Sequence, residues 1–372
     1  MKITGAEFIK QFESVVPLDL AEDSDPVGLH IGTLNKPINR VMMTLDVRPD
    51  VVQEAIDKKI DLIVAKHPPI FRPVKHLLVD DFQTKMYADL LKHDIAVYAA
   101  HTNMDIVDNG LNDLFCEMLD IDATDYLRQT HEYFYRKLVV YVPTTHAESL
   151  REAFGGAGIG AYHDYDYTSF SSHGTGRFRP LEKAQPAIGG NNELTSVEEE
   201  KIEVMFLPQE YPTVLSIINE YHPYEEPMFD IFPLENISKT YGIGRIGTLP
   251  QPMPLLDFVE KVKQTFDLNA IRLTTDTKDK QVKTVAICGG SGEKFYKDAL
   301  KKGADVYITG DVYYHTAHDM MEEGLSVIDP GHYIESVCKK YYVDLFNQWK
   351  QQNDWDVTFI ESDVNTNPFE II

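Results

Sequence analysis

Three short runs that are apolar almost throughout, RVMMTLDV (40–47), DLIVAKH (61–67) and IAVYAAH (95–101), constrain what this chain can fold into. Stretches with helical spacing separate them, DVVQEAIDKK (50–59) and residues 84–93. A strand that is apolar on both faces needs cover on both, so the alternation predicts a sheet sandwiched between helices. A further helix is expected over 110–119, with Asp108 or Asn109 as its cap. The same texture returns after about Ser238: helix 255–266, strand 281–288 running into GGSG, helix 293–301, strand 305–309, helix 312–323, a long helix 334–350 and a last strand 357–360.

Between these halves, from about Tyr126, the pattern changes. A strand (137–143), a helix (147–154), a stretch of alternating Tyr, Ser and Gly, a strand (201–207), a helix (213–221) and a strand (227–233) follow the β-α-β-β-α-β order of ferredoxin-like domains. AIGGNNELTSVEEE (187–200) reads as an exposed loop within it. The expected fold class is therefore α/β: a two-part core with mixed sheets, residues 1–128 and 237–372, interrupted by an inserted ferredoxin-like domain at 129–236. The length of 372 residues suits two or three domains at about 150 residues each.

Charge and composition remove several classes of function. Thirty-five Lys and Arg against 59 Asp and Glu give a net charge of -24, which repels nucleic-acid phosphates and anionic membranes. No apolar run approaches the roughly 18 residues of a membrane span. The opening MKITGAEFIKQFESVV lacks an uninterrupted signal-peptide core. Cys116, Cys288 and Cys338 are scattered and odd in number, which points to a reducing compartment, so a cytoplasmic protein is expected. H-E-x-x-H, C-x-x-C and G-x-S-x-G are absent, which disfavours zincins, thiol redox enzymes and α/β-hydrolases.

Chemistry-bearing residues cluster at strand ends, where open α/β sheets form their sites. His67 closes DLIVAKH; His101 closes IAVYAAH, with Asp105 four residues later; His332 follows the apolar LSVI and DPG, with Glu335 three residues on. Imidazoles with carboxylates are a ligand set for Zn, Mn or Fe. Each also has a plainer role: His67 as a turn residue, Asp105 at a helix entry, Glu335 as a first-turn acid. CGGSG (288–292) offers backbone N–H groups to an anion, although it lacks the GK[ST] of a P-loop and equally suits a tight turn. Asp311, His315 and His318 in ITGDVYYHTAHD either face a site or decorate a solvated helix.

In order, DPVGLHIG (25–32), AKHPPIF (65–71), AAHTNMD (99–105), CGGSG, ITGD (308–311) and DPGHYIE (329–335) resemble the dinuclear-metal family of GTP cyclohydrolase 1 type 2 homologues, the NGG-interacting-factor-like proteins. The resemblance covers about residues 1–125 and 240–372, and the centre is similar to the CutA- and PII-like insert of longer members. It implies one or two divalent metal ions per chain, zinc foremost with manganese or iron as alternatives, at His67, Asp105, His332 and Glu335. It also implies a homo-oligomer, a hexameric ring with the metal sites facing its cavity.

The implied activity is metal-dependent, cyclohydrolase-like hydrolysis of a nucleotide or other phosphorylated small molecule. His101 and Lys66 are then catalytic candidates, and Gly289, Gly290, Ser291 and Gly292 hold the ligand. The alternative is a non-catalytic metal-binding or regulatory oligomer whose insert senses a small ligand. Two departures stand out. Lys66 occupies a position where many members have histidine, and the acid lies three rather than four residues beyond His332, where Ser336 stands. A lysine ammonium cannot ligate a metal unless deprotonated. Either it swings away or it stays as a cation for substrate phosphate, and both predict fewer than two tightly held metals.

Overall fold

In this computed structural model, residues 1–372 are described, apart from the side chain of Thr124. The chain divides into two compact units, one formed by Met1–His131 with Tyr241–Ile372 and the other by Glu132–Thr240. It passes between them within two long strands, Asp122–Pro143 and Phe229–Pro254. Among the described residues no helix is long and apolar enough to cross a membrane. The whole is a mixed α/β fold with mixed sheets.

The first unit contains a five-stranded sheet in the order Thr358–Glu361, Arg40–Thr44, Leu62–Ala65, Ala96–Ala99, Gly28–Ile31. The first four strands are parallel and the last is antiparallel. Successive side chains of a strand point to opposite faces, which explains the unbroken apolar runs. Val41, Met43, Leu62, Val64, Ala96 and Tyr98 enter one core with the helices Gly5–Glu13 and Cys338–Asn353. Met42, Ile63, Ala65 and Val97 enter a second core with the helices Pro49–Asp57 and Phe82–Lys92.

The other sheet of this unit runs Arg272–Thr274, Ser326–Asp329, Val306–Ile308, Gln281–Ile287, then the Phe229–Pro254 strand. Its three middle strands are parallel. Val285, Ile287, Val306, Ile308 and Ile328 share the first core, so both sheets are tied to one apolar interior.

Several local expectations need correction. The helix Leu111–Met118 begins at Gly110 without a side-chain cap. Asp108 instead accepts a hydrogen bond from the Tyr126 hydroxyl at 2.5 Å, and Asn109 takes a left-handed φ of 59°. The long C-terminal helix begins later than expected, at Cys338, after a 3-10 turn over His332–Val337. The sequence also carries a G-x-G-x-x-G pattern, GIGRIG (242–247), which lies inside a strand rather than at a strand-to-helix turn, so it is no dinucleotide fingerprint. Its glycines permit close backbone approach: a Cβ at Gly242 or Gly247 would lie 2.4 Å from the Arg128 carbonyl oxygen or 2.2 Å from that of Asp122.

In the second unit the elements are the Asp122–Pro143 strand, helix Ala147–Gly156, strands Phe170–Phe178 and Thr195–Phe206, helix Tyr211–Tyr221 and the Phe229–Pro254 strand. The segment read as the loop AIGGNNELTSVEEE is partly strand, because Thr195–Glu200 pairs with Gly174–Phe178 and His173 in an antiparallel hairpin. Numbered by chain order, the sheet runs fourth, first, third, second. Leu138, Val140, Phe154, Ile202, Phe206 and Ile218 build a core of its own.

Candidate metal centre

Three strand ends of the first unit meet. His67 follows the strand Leu62–Ala65, and His332 and Glu335 lie in the 3-10 turn just beyond Ser326–Asp329. At three residues per turn, positions i and i+3 eclipse, so the spacing of three suits a 3-10 turn. The His67 and His332 Nε2 atoms are 3.3 Å apart, and Glu335 Oε2 lies 3.0 Å from the first and 3.4 Å from the second. Donors bound at about 2.0–2.1 Å to one tetrahedral ion stand roughly 3.3 Å apart, so this triangle has the size of a metal site. The three residues are the group whose atoms could hold a metal ion among the described residues.

Carboxylates outside the triangle orient the rings. His67 Nδ1 lies 2.7 Å from Asp46 Oδ1, and His332 Nδ1 lies 2.6 Å from Asp311 Oδ2. A carboxylate only accepts, so each Nδ1 carries the proton and each Nε2 lone pair faces inward. Asp46 is tied by the Thr366 hydroxyl and Asp311 by the Ser291 hydroxyl. With lone pairs converging on a carboxylate oxygen, the triangle calls for a cation. Without metal a proton supplies it: the Glu335 hydrogen bond raises His332 to about 9 against the cost of burial. Burial opposes protonation of His67, but Asp46 and Glu335 outweigh it and its pKa also rises. Metal binding must displace these protons.

Lys66 takes neither of the expected positions. Its side chain is 1% exposed, and its ammonium lies 2.9 Å from Asp105 Oδ2 and 3.8 Å from Glu335 Oε1. It is therefore held inside rather than swung away, and it is too enclosed to serve as a phosphate contact. Burial disfavours the ammonium, yet Asp105 and Glu335 together hold its pKa well above the ordinary lysine value. Burial would raise Glu335 too, but Lys66 and the two histidines hold it well below the ordinary carboxylate range. Burial pushes Asp105 up, with Lys66 pulling it back. Removing one partner from a buried pair of this kind costs about 3–5 kcal/mol.

The remaining candidates divide. Asp105, on the short helix Thr102–Ile106, joins the centre through Lys66 rather than as a member of the triangle, and its Oδ1 has no hydrogen-bond partner among the described residues. His101 stands edge-on to His67, with ring centroids 5.7 Å apart, and its Nδ1 is held by Asp25 at 2.7 Å. The GGSG turn already uses two of its N–H groups within the chain. The Gly289 N–H donates to Asn112, the Gly292 N–H donates to Thr309, and the helix beyond is only Tyr296–Lys301. Its glycines instead make room for the centre: at Gly290, φ +61°, a Cβ would lie 3.0 Å from Glu335 Oε1 and 3.5 Å from His332 Nε2. His315 and His318 lie exposed on helix Tyr314–Glu322 beside Tyr314, outside the donor group.

Asp46, Asp25 and Asn112 escaped the sequence reading. Asp46 is the last residue but one of the strand-like run RVMMTLDV, so the strand-end rule applied to the histidines would have found it.

Fold and site define a mixed α/β protein in which strands of two sheets deliver two histidines and a glutamate to a centre that could hold a metal ion. The pattern of the Duf34/NIF3 (NGG1p interacting factor 3) family matches residues 3–368, and the chain belongs to that family. The Bacillus subtilis (strain 168) protein named "GTP cyclohydrolase 1 type 2 homolog" is 44% identical over 370 residues, spanning 100% of this chain and 99% of the relative. A Bacillus cereus protein related to NIF3 superposes with a TM-score of 0.91 at 41% identity, over 100% of this chain and 99% of that one. The Staphylococcus aureus protein SA1388 gives 0.74 at 29% identity, with the same coverage.

Proposed function

We propose that the chain is a metal-dependent hydrolase acting on a phosphorylated small molecule, a nucleotide among the candidates. The observation that carries the reading is the donor triangle: two histidines and one glutamate leave a fourth position open, the arrangement of catalytic rather than structural sites. Zinc suits the donors best, with manganese or iron as alternatives. When bound, the ion lowers the pKa of water and polarises the scissile centre. Asp46 and Asp311 keep the rings oriented. Asp25 occupies His101 Nδ1, which leaves Nε2 to take up or deliver a proton.

The second unit supports the alternative, a metal-binding oligomer that senses a ligand. Its β-α-β-β-α-β element order and its strand order of fourth, first, third, second support reading it as a ferredoxin-like insert of the PII and CutA kind. A cavity of about 1120 Å³ within it is lined by Arg177, Phe178, Arg179, Lys183 and Tyr224 among others. Assembly into a homohexamer is supported by the apolar side chains exposed at Phe71, Leu77, Leu78 and Val79. A cytoplasmic setting is supported by three buried, unpaired cysteines.

The deciding experiment incubates metal-loaded protein with pooled nucleotides and phosphoesters. Product that depends on metal and disappears in His67→Ala and Glu335→Ala is expected. Tight metal binding with no product across the panel would favour the sensor.

A further inference from the structure

Glu335 is shared between two compartments. Its Oε2 faces the two imidazoles, and its Oε1 faces the Lys66 ammonium, which Asp105 approaches from the other side at 2.9 Å. Asp105 and Glu335 are 7% and 1% exposed, so neither is well solvated and each depends on a cation within the protein. Two buried carboxylates beside an imidazole site are hard oxygen ligands, and such oxygens attract a divalent ion. Here the position between them already holds a cation that is part of the chain.

We propose that Lys66 is a built-in cation that limits the centre to one metal ion, its ammonium filling the place between Asp105 and Glu335 where a second ion would bind. This rests on the reading of His67, His332 and Glu335 as metal ligands. An ion at that triangle keeps Glu335 Oε2 and leaves Oε1 to Lys66, so the two cations share one carboxylate without competing for an oxygen. A second divalent ion would have to displace the ammonium. No exposed surface receives it, because Lys66 is 1% exposed, and like charge would oppose any ion entering beside it. Lys66 is thus a positioning residue. It faces Glu335 Oε1 at 3.8 Å, which keeps the carboxylate aimed while leaving the metal's open position untouched.

The test is metal stoichiometry, read by elemental analysis after extensive dialysis and by anomalous diffraction at the metal edge. Wild type loaded with excess zinc or manganese should retain one equivalent, with a single anomalous peak beside His67, His332 and Glu335. Lys66→His, which replaces the ammonium with an imidazole ligand, should retain twice as much, with a second peak beside Asp105. Lys66→Met, which leaves the carboxylates without their cation, should melt at lower temperature than wild type with one equivalent of metal and recover with a second. Two equivalents in wild type would overturn the inference and leave the metal reading intact. So would Lys66→His that folds and keeps only one. No retained metal in any protein would overturn both.

Discussion

Asp46 and Asp311 bond the outer nitrogens of His67 and His332, and each thereby determines which nitrogen of its histidine faces the centre. An asparagine at either place is nearly the same shape but offers a neutral amide, which orients the ring less firmly and no longer strengthens its basicity. Asp46→Asn and Asp311→Asn are each expected to weaken metal affinity by about 10- to 100-fold, because such outer partners typically contribute that much. Competition with a chelator of known affinity checks this, and unchanged affinity in both would mean that the rings are held by packing alone. Lys66 is the residue whose behaviour the sequence left most open. Its chemistry as a non-ligand was legible, but its burial between two carboxylates depends on residues 39 and 269 positions away.

At the scale of elements, the second unit carries a histidine joint whose contacts depend on pH, separate from the candidate metal centre of the first unit. His222 ends the helix Tyr211–Tyr221; its Nε2–H donates to the Tyr141 carbonyl at 2.8 Å, and its Nδ1 accepts from the Tyr224 N–H at 3.1 Å. Both nitrogens are satisfied only in the neutral ring. Burial lowers the pKa below the ordinary 6.5, outweighing the Tyr141 hydrogen bond and the nearby Glu199. The unfolded state therefore takes up a proton first as pH falls. The stability this contact contributes is full above about pH 6.5 and is lost as pH drops through the unfolded and then the folded value. Thermal melts between pH 8 and pH 5 should show wild type losing more stability than His222→Gln, whose amide does not titrate. Parallel curves would rule the joint out. The short 3-10 turn His332–Val337 is the corresponding device at the centre, since it aligns His332 with Glu335 at a spacing of three.

At the scale of the whole molecule, each unit has its own apolar interior: one set of side chains within residues 3–121 and 249–359, another within 138–218. Excising residues 132–240 and joining the ends is expected to leave a folded core that keeps the His67, His332 and Glu335 triangle, because each unit has an apolar interior of its own. Circular dichroism and metal analysis of the shortened chain check this; an insoluble product would show that the two units fold only together. The family match over residues 3–368 spans both units.

By itself the sequence determined the α/β texture, because apolar runs and amphipathic helices follow local periodicity, and it determined the family, because six short motifs occur in order. It also marked His67, His332 and Glu335, since strand ends are visible as the close of apolar runs. Only the tertiary structure decided that Asp46 and Asp311 orient the rings, that the Gly289 and Gly292 N–H groups bond Asn112 and Thr309 while Gly290 approaches Glu335, and that Asp105 meets the centre through Lys66. The long strands Asp122–Pro143 and Phe229–Pro254 were also hidden, since their polar, Tyr- and Gly-containing stretches lack a clean alternation and depend on their sheet partners. The reason is common to all of these. Periodicity is a property of neighbours along the chain, whereas the partner of a buried charge or a strand is chosen by which distant residues the packed sheets bring within 3–4 Å.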